Sequence, residues 1–307
     1  MYDLIIVGGG PAGAAAAVYA ARKQLKTLFI TSEWGGQSIV SPDIQNWIGT
    51  PSISGEALAK QLKTHVETAA GDSLTILAPR KAVSLTSTES SVSVTDSKGE
   101  VHEGKTLFVA TGSNRKKLQI RGAEEYDQKG LTYCASCDGP LYSGTDVAVV
   151  GGGNAGFETA AQLLAYAKSV TLFNRTDRFR ADPITVQKVL SHPNIKAVIN
   201  VEPVEVLGEK FVTEFRYKNT TTGEESTIPV AGIFVEIGHT PNTEWLGDAV
   251  ELDDMGRIVA DPRTQRTSNP RIWAAGDCTD AVYHQNNIAT GDAVKALEHL
   301  YSYLHAR

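Results

Sequence analysis

One pattern is written twice in this chain and constrains its fold more than any other feature. LIIVGGGPAGAAAA begins at Leu4, and VAVVGGGNAGFETA begins at Val147. Each copy has four apolar residues, a triple glycine, two residues, a glycine and then a helical stretch. A second apolar strand follows each, TLFI at Thr27 and VTLF at Val170. The glycines form G-x-G-x-x-G twice, as Gly8, Gly10, Gly13 and as Gly151, Gly153, Gly156. The first glycine allows a tight turn, and the second lets backbone approach a pyrophosphate. The third lets helix and strand pack closely, while the helix N-terminus supplies partial positive charge. A lone match is a weak signal. Two matches, each following a buried strand and opening a helix, predict two dinucleotide-binding βαβ units.

The repeat continues downstream. VSVTDSKGEVHEGKTL predicts a hairpin turning at Ser97–Gly99, and FRYKNTTTGEESTI predicts one around Thr221–Gly223. Each copy then closes on a buried strand and a glycine, LFVATG (Leu107–Gly112) and IFVEIG (Ile233–Gly238). RIWAAGDC (Arg271–Cys278) has no counterpart in the second copy and is expected to complete the sheet of the first. A final helix is expected from about Thr290. The fold class is therefore α/β, with two Rossmann-like dinucleotide-binding domains of three-layer ββα build. The second is inserted into the first: residues 1–116 and 244–307 form one domain and 117–243 the other. Polar, Gly- and Pro-containing crossings are expected near Lys116–Gly122 and Gly238–Thr243.

At 307 residues, two domains can each bury a core. A net charge of −6 without a basic block argues against a nucleic-acid partner. Residues 4–21 are almost wholly apolar, yet Asp3 precedes them and Gly8 to Pro11 interrupt them. They read as strand, turn and helix, not as a signal or membrane span. Three cysteines are too few for a secreted disulfide framework, so a reducing, cytoplasmic setting is expected.

Two of those cysteines lie in LTYCASCDGP, at Cys134 and Cys137. Such a pair can be half a zinc site, a disulfide staple or a working dithiol. Zinc needs two more ligands, and beyond Cys278 the chain offers no further cysteine and no H-x-x-H. The spacing closes a small ring and suits thiol–disulfide exchange, so a redox dithiol is the expectation. Asp138 follows directly and is placed to move protons. Cys278 reads as a buried strand-end residue. His239 and His284 are lone histidines with no triad pattern around them.

The residue ending the second strand of each unit selects among nucleotides. In the first, TSEWGGQ offers Ser32 and Glu33. In the second, FNRTDRFRAD puts Asn174 where an acid would accept from ribose, with Arg175, Arg178 and Arg180 beyond it. Basic residues there favour a 2′-phosphate, hence NADPH over NADH.

Together these residues resemble the low-molecular-weight thioredoxin reductases. They resemble still more closely the C-terminal flavoprotein part of the alkyl hydroperoxide reductase flavoprotein subunit. The motifs carrying the resemblance are GGGPAG, GGQ, QNWIG, VATG, CASCDG, GGGNAG, IGHTPNT, and AAGDC followed by HQNNIATG, spread from Tyr2 to about Leu304. It implies FAD in the first domain and a nicotinamide nucleotide in the second. By position, Gly8, Gly10, Pro11, Ala12 and Gly13 would lie on the FAD pyrophosphate, with Ser32 and Glu33 near the adenosine and Val83 near the adenine. Gly36, Gln37 and Asn46 would run along the flavin side. Gly112 and Gly276 belong to the same cofactor site. Asp277 would meet the ribitol chain, and His284, Gln285 and Asn286 the isoalloxazine. Gly151, Gly153, Asn154, Ala155 and Gly156 would hold the nicotinamide nucleotide together with Asn174, Arg175, Thr176 and Arg180. Cys137 would face the flavin and Cys134 attack the partner disulfide, with Asp138 as acid–base.

Two departures stand out. The family's His-Arg-Arg triplet is here Asn174-Arg175-Thr176, with Arg180 retained, so one phosphate-binding arginine is missing. NADH, ferredoxin or a second flavin therefore remain alternative donors. The first strand begins at Tyr2 without a thioredoxin-like module before it, so the partner is expected to be a separate thioredoxin-like or peroxiredoxin-type protein. A homodimer is implied. The expected relay runs from NADPH through FAD and Cys134–Cys137 to that partner. Because dithiol and nucleotide site share one inserted domain, rotation about the crossings is expected to alternate them. The rival readings are a flavin reductase acting on ferredoxin or flavodoxin, which needs no CASCD, and a slow nucleotide-binding redox sensor.

Overall fold

The structure, a computed structural model, describes residues 1–41 and 43–306. Two units are distinguished: Met1–Pro42, Trp47–Asn114 and His239–Arg307 make unit 1, and Asp43–Asn46 with Arg115–Gly238 make unit 2.

The first passage through unit 1 forms β1 (Tyr2–Val7), α1 (Pro11–Arg22), β2 (Thr27–Ile30), α2 (Gly55–Ala69), β3 (Leu74–Leu77), β4 (Ala82–Ser87), β5 (Val92–Asp96) and β6 (Val101–Val109). The sheet order is β3-β2-β1-β6-β5-β4. β1 pairs in parallel with β2 and β6, so Leu4, Ile5 and Ile6 are covered on both faces and lose all exposure. That is why the strand reads as an unbroken apolar run. On α1, Ala14, Ala17, Ala20 and Ala21 are buried in one cluster with Ala293, Leu297 and Leu300 from the end of the chain. Alanines keep that helix interface thin.

The first hairpin turns after Asp96, whose Oδ1 accepts from the backbone N–H groups of Lys98 and Glu100 at 2.8 and 3.1 Å. Its Oδ2 meets Arg80 at 2.5 Å and His102 at 3.1 Å. Burial pushes the carboxyl up, but these hydrogen bonds and the Arg80 charge outweigh it and hold the pKa at about 2. With Glu100, these groups sit close enough for a cation, yet the Arg80 guanidinium already supplies the positive charge.

Short strands β7 (Ser113–Arg115) and, later, β16 (His239–Pro241) mark the two crossings. Between them unit 2 forms β8 (Leu131–Thr132), α3 (Ala135–Asp138), β9 (Asp146–Val150), α4 (Asn154–Leu163), β10 (Ser169–Phe173), α5 (Pro183–Leu190) and β11 (Ile195–Val198). It continues with β12 (Val201–Gly208), β13 (Val212–Asn219), β14 (Glu225–Pro229) and β15 (Gly232–Val235). A parallel sheet runs β11-β10-β9-β15-β8, and β12-β13-β14 form a separate antiparallel sheet.

The chain then returns to unit 1 through β17 (Ile272–Ala274) and α6 (Asn286–His305). β17 lies parallel beside β6, with Trp273 opposite Phe108, and so completes the first sheet. It stops at Ala274 because Gly276, at φ +81°, turns the chain. α6 starts earlier than Thr290. Gln285 is its extended N-cap residue and its carbonyl accepts from Ala289 N–H at 2.9 Å, so Asn286 and Asn287 are in the first helical turn. The segment after Gly238 is held within unit 1 by Asn242, whose Nδ2 donates to Thr111 O at 2.9 Å and whose carbonyl accepts from Thr111 Oγ1 at 2.7 Å. Among the described residues, no helix is long and apolar enough to cross a membrane.

Candidate active site

In unit 1 the glycine turn is packed down to backbone. Gly8 has φ +119°, a region closed to most L-residues, and a Cβ there would overlap Ala110 O. Gly13, in the first turn of α1, lies against Gly8 O in the same way. Gly10 caps α1 without a side-chain bond, and Pro11 opens it at a position where a missing N–H costs nothing. The unpaired N–H groups of α1 therefore remain available to an anion. Ala12 and Gly13 are buried, while Ser32 and Glu33 are exposed just beyond β2. Arg80 N donates to Thr31 O at 2.8 Å, which brings the chain leading into β4, and hence Val83, toward the end of β2.

Several other predicted residues gather at this turn. Gly36 would place a Cβ 3.3 Å from the Gly10 Cα, and Gly276 would place one 3.5 Å from Ala12 Cβ. Gln37 Nε2 donates to Ser113 O at 2.6 Å, next to Gly112 at φ +63°. Ser38 Oγ donates to Asn286 Oδ1 at 2.9 Å, joining the loop after Gly36 to the start of α6. Asp277 is half-buried and Gln285 exposed. His284 Nε2 and Ser113 Oγ are buried with no hydrogen-bond partner. Cys278 is fully buried, its thiol pushed up to about 11 by burial. Asn46 lies in the short segment Asp43–Asn46, which is grouped with unit 2.

Unit 2 repeats the turn. Gly151 has φ +135°, Gly156 lies against Gly151 O, and Gly153 caps α4. Asn154 and Ala155 are exposed on its first turn, and Asn154 Oδ1 accepts from Asp182 N–H at 2.8 Å. The residue after β10 behaves differently from a ribose-binding acid. Asn174 is buried against Gly152. Its Nδ2 donates to Thr176 O and Arg178 O, both at 2.9 Å, so the amide ties down its own loop. That loop carries Arg175, Arg178 and Arg180 exposed, and Arg180 N–H donates to Gly152 O at 2.9 Å. The loop that carries the arginines is thereby held beside the glycine turn through its backbone.

The cysteine pair belongs to the same unit. Cys134 and Cys137 are joined in a disulfide. Cys134 is the extended N-cap residue of the short helix α3, its Sγ accepting from Cys137 N–H at 3.2 Å. Both cysteines are half-buried, and Asp138 beside them is buried. Asp138 Oδ2 accepts from Thr132 Oγ1, while Oδ1 has no partner. Burial raises the Asp138 pKa, and the Thr132 bond and Arg115 charge temper the rise. The same dry surroundings push Tyr142 up to about 12, with Asp138 adding to the effect. A buried acid with a raised pKa and an unmet oxygen, one residue from a disulfide, is placed to take up and return a proton during dithiol chemistry.

Thr132, Tyr142, Arg115, Thr159 and Glu236 contribute to this unit without having been singled out from the sequence. A signal existed for Glu236 alone, an acid ending the apolar run IFVE.

Comparison with known proteins follows the same lines. Residues 2–293 match the family described as pyridine nucleotide-disulphide oxidoreductase. The chain is 40% identical over 303 residues to a subunit of the alkyl hydroperoxide reductase of Staphylococcus aureus, covering 99% of this chain but 59% of that protein. It thus spans about three-fifths of the length of that curated relative. Among solved structures, thioredoxin reductase from Giardia duodenalis superposes with a TM-score of 0.92 at 32% identity, covering 99% of both chains. Thioredoxin reductase from Streptococcus pyogenes gives 0.90 at 32% identity, covering 100% of this chain and 99% of that one.

Proposed function

Because the chain belongs to the pyridine nucleotide-disulphide oxidoreductase family, we propose that it is an FAD-dependent disulfide reductase. It takes electrons from NADPH and passes them through Cys134–Cys137 to a thioredoxin-like or peroxiredoxin-type protein disulfide. The observation that carries this reading is the closed Cys134–Cys137 pair beside the buried Asp138, in the unit that also holds the second glycine turn.

The residues fit the cofactors this function needs. The turn at Gly8–Gly13 has no room for a Cβ at its first and third glycines, as close backbone approach to a pyrophosphate requires. Ser32, Glu33 and Val83 would serve the adenosine end of FAD, and Gly36, Gln37, Asn46, Gly112, Gly276 and Asp277 its length. The unmet His284 Nε2 suits a polar ring edge, with Gln285 and Asn286 beside it. The second turn, with Arg175 and Arg180 held next to it, would take the nicotinamide nucleotide. When bound, these cofactors would supply the hydride-transfer chemistry that no side chain can.

What the chain's own residues add is thiol chemistry. Opening the Cys134–Cys137 bond takes two electrons and two protons. The Cys134 thiolate then attacks the partner's disulfide, forming a mixed disulfide and releasing one partner thiolate. Cys137 displaces the second partner sulfur and recloses the pair. Asp138, next to Cys137 and with its pKa raised by burial, is placed to exchange a proton in these steps. A cytoplasmic location and a homodimer belong to the same proposal, supported by the sparse cysteines and the resemblance.

The donor has a specific second reading. Thr176 removes one arginine from the phosphate-binding set, and Asn174 is spent on its own loop. Anaerobic bleaching of the flavin separates the readings. Rapid bleaching by NADPH, with NADH far slower, is the expected result. Faster bleaching by NADH would reassign the donor. Bleaching by dithionite alone would overturn a nicotinamide donor and direct the search to ferredoxins or flavins.

A further inference from the structure

Glu236 is a half-buried acid that the relay above leaves unused. It follows β15 directly, and its N–H donates to Val150 O at 2.8 Å, continuing the register that pairs Val235 with Val150. β9 and β15 are the neighbours between which the parallel sheet changes direction, and open α/β sheets take ligands in the crevice outside such strand ends. The Glu236 carbonyl and Cβ back directly onto Gly151, the first glycine of the turn. Its Oε1 accepts from Thr159 Oγ1 at 2.8 Å, on α4, the helix that the turn opens. The carboxyl group is thus built into the cradle, between the strand end and that helix.

We propose that Glu236 is a proton-linked binding residue of the pyridine-nucleotide site: the nucleotide binds the protein with Glu236 protonated, so binding takes up a proton. This rests on the reading of unit 2 as the nicotinamide-nucleotide site. The physical reason is charge. A diphosphate brought to this turn meets either a neutral acid or a carboxylate, and at a half-buried position, where solvent screens less than at the surface, the second pairing is repulsive. Burial is the largest influence on the free acid and pushes it up to about 7. The groups facing it divide: the Thr159 hydroxyl and Arg115 favour the ionised form, Glu158 on α4 the neutral one, and the Gly151–Gly153 turn brings no titratable side chain. A bound anion raises the acid's pKa further. The added affinity is then fully present below the free pKa and lost as pH rises through the bound one.

The test is calorimetric titration of the oxidised holoenzyme with NADP⁺ and with NAD⁺, repeated in buffers of different ionisation enthalpy. Wild-type affinity is expected to fall roughly tenfold between about pH 6 and about pH 8.5, which corresponds to a one-unit rise of the acid's pKa on binding. Proton uptake should be seen near neutrality. Glu236→Gln should bind at both pH values with the affinity wild type shows at the lower, and without that uptake. The 2′-phosphate of NADP⁺ titrates equally with both proteins, so the difference belongs to Glu236. Thr159→Val removes a bond that favours the ionised acid and should move the midpoint to higher pH. An unchanged pH dependence in Glu236→Gln would overturn the proposal while leaving the nucleotide site intact. Failure of both proteins to bind either nucleotide at any pH would overturn the site assignment and this inference with it.

Discussion

Cys134→Ser is expected to lower turnover with a protein disulfide by on the order of a thousandfold or more, because a covalent nucleophile has no substitute. Oxidation of NADPH by a small dye that accepts electrons directly from the flavin should stay within about twofold, since nothing at the glycine turns changes. The contrast between the two assays is the prediction. It separates a disulfide reductase from a flavin reductase acting on ferredoxin or flavodoxin, for which both activities would survive. Steady-state rates with each acceptor, measured on preparations of equal flavin content, decide it. Serine keeps the N-cap position of α3 filled by a side chain that accepts from the Cys137 N–H, so the local fold should persist.

Gly156→Ala should have an effect of similar weight on a different step. The added methyl would overlap Gly151 O, so either α4 or the turn must move. Displacement of a positioning element by about an ångström can cost ~100-fold in rate, and the anaerobic rate of flavin reduction by the pyridine nucleotide is expected to fall by at least that. Flavin content and reduction by dithionite should remain, because the turn proposed to hold FAD, Gly8–Gly13, lies in unit 1. A thermal melt alongside shows whether unit 2 stays folded. A wild-type reduction rate would mean that this turn does not hold the donor.

Both variants draw on features that were legible in the sequence, and the reason is local. A glycine at φ +119° or +135° answers a backbone requirement within a few residues of itself, so the letters alone reveal it. The same holds for the unbroken apolar run of β1 and for Cys134 and Cys137, whose pairing needs only three residues of chain. Even the completing strand β17 was visible, as an apolar run with no counterpart in the second copy. What escaped depends on partners far apart in sequence. Glu236 and Thr159 are 77 residues apart, and only the pairing of β15 beside β9 brings them together. The bonds of the Asn174 amide to Thr176 and Arg178 depend on the folding of the loop after β10, which its position in the sequence does not reveal. The start of α6 was missed because Asn286 and Asn287 have loop-like propensity, which burial of Ala289 and Ala293 overrides. The depth of Asp138, and hence its raised pKa, likewise comes from the packing of unit 2 and not from the CASCD string.

The most direct test of the central claim, that Cys134–Cys137 lies on the electron path, is a thiol count. The protein would be reduced anaerobically with at least two equivalents of NADPH per chain, or of NADH if that proves the donor, enough for both flavin and disulfide, then quenched and alkylated before and after denaturation. Cys278 is free and buried at the outset, so it labels only on denaturation and serves as an internal reference. Two new thiols per chain, at Cys134 and Cys137, are the predicted result. A bleached flavin with no new thiols would contradict the account, because the disulfide would then be a staple and the electrons would leave by another route.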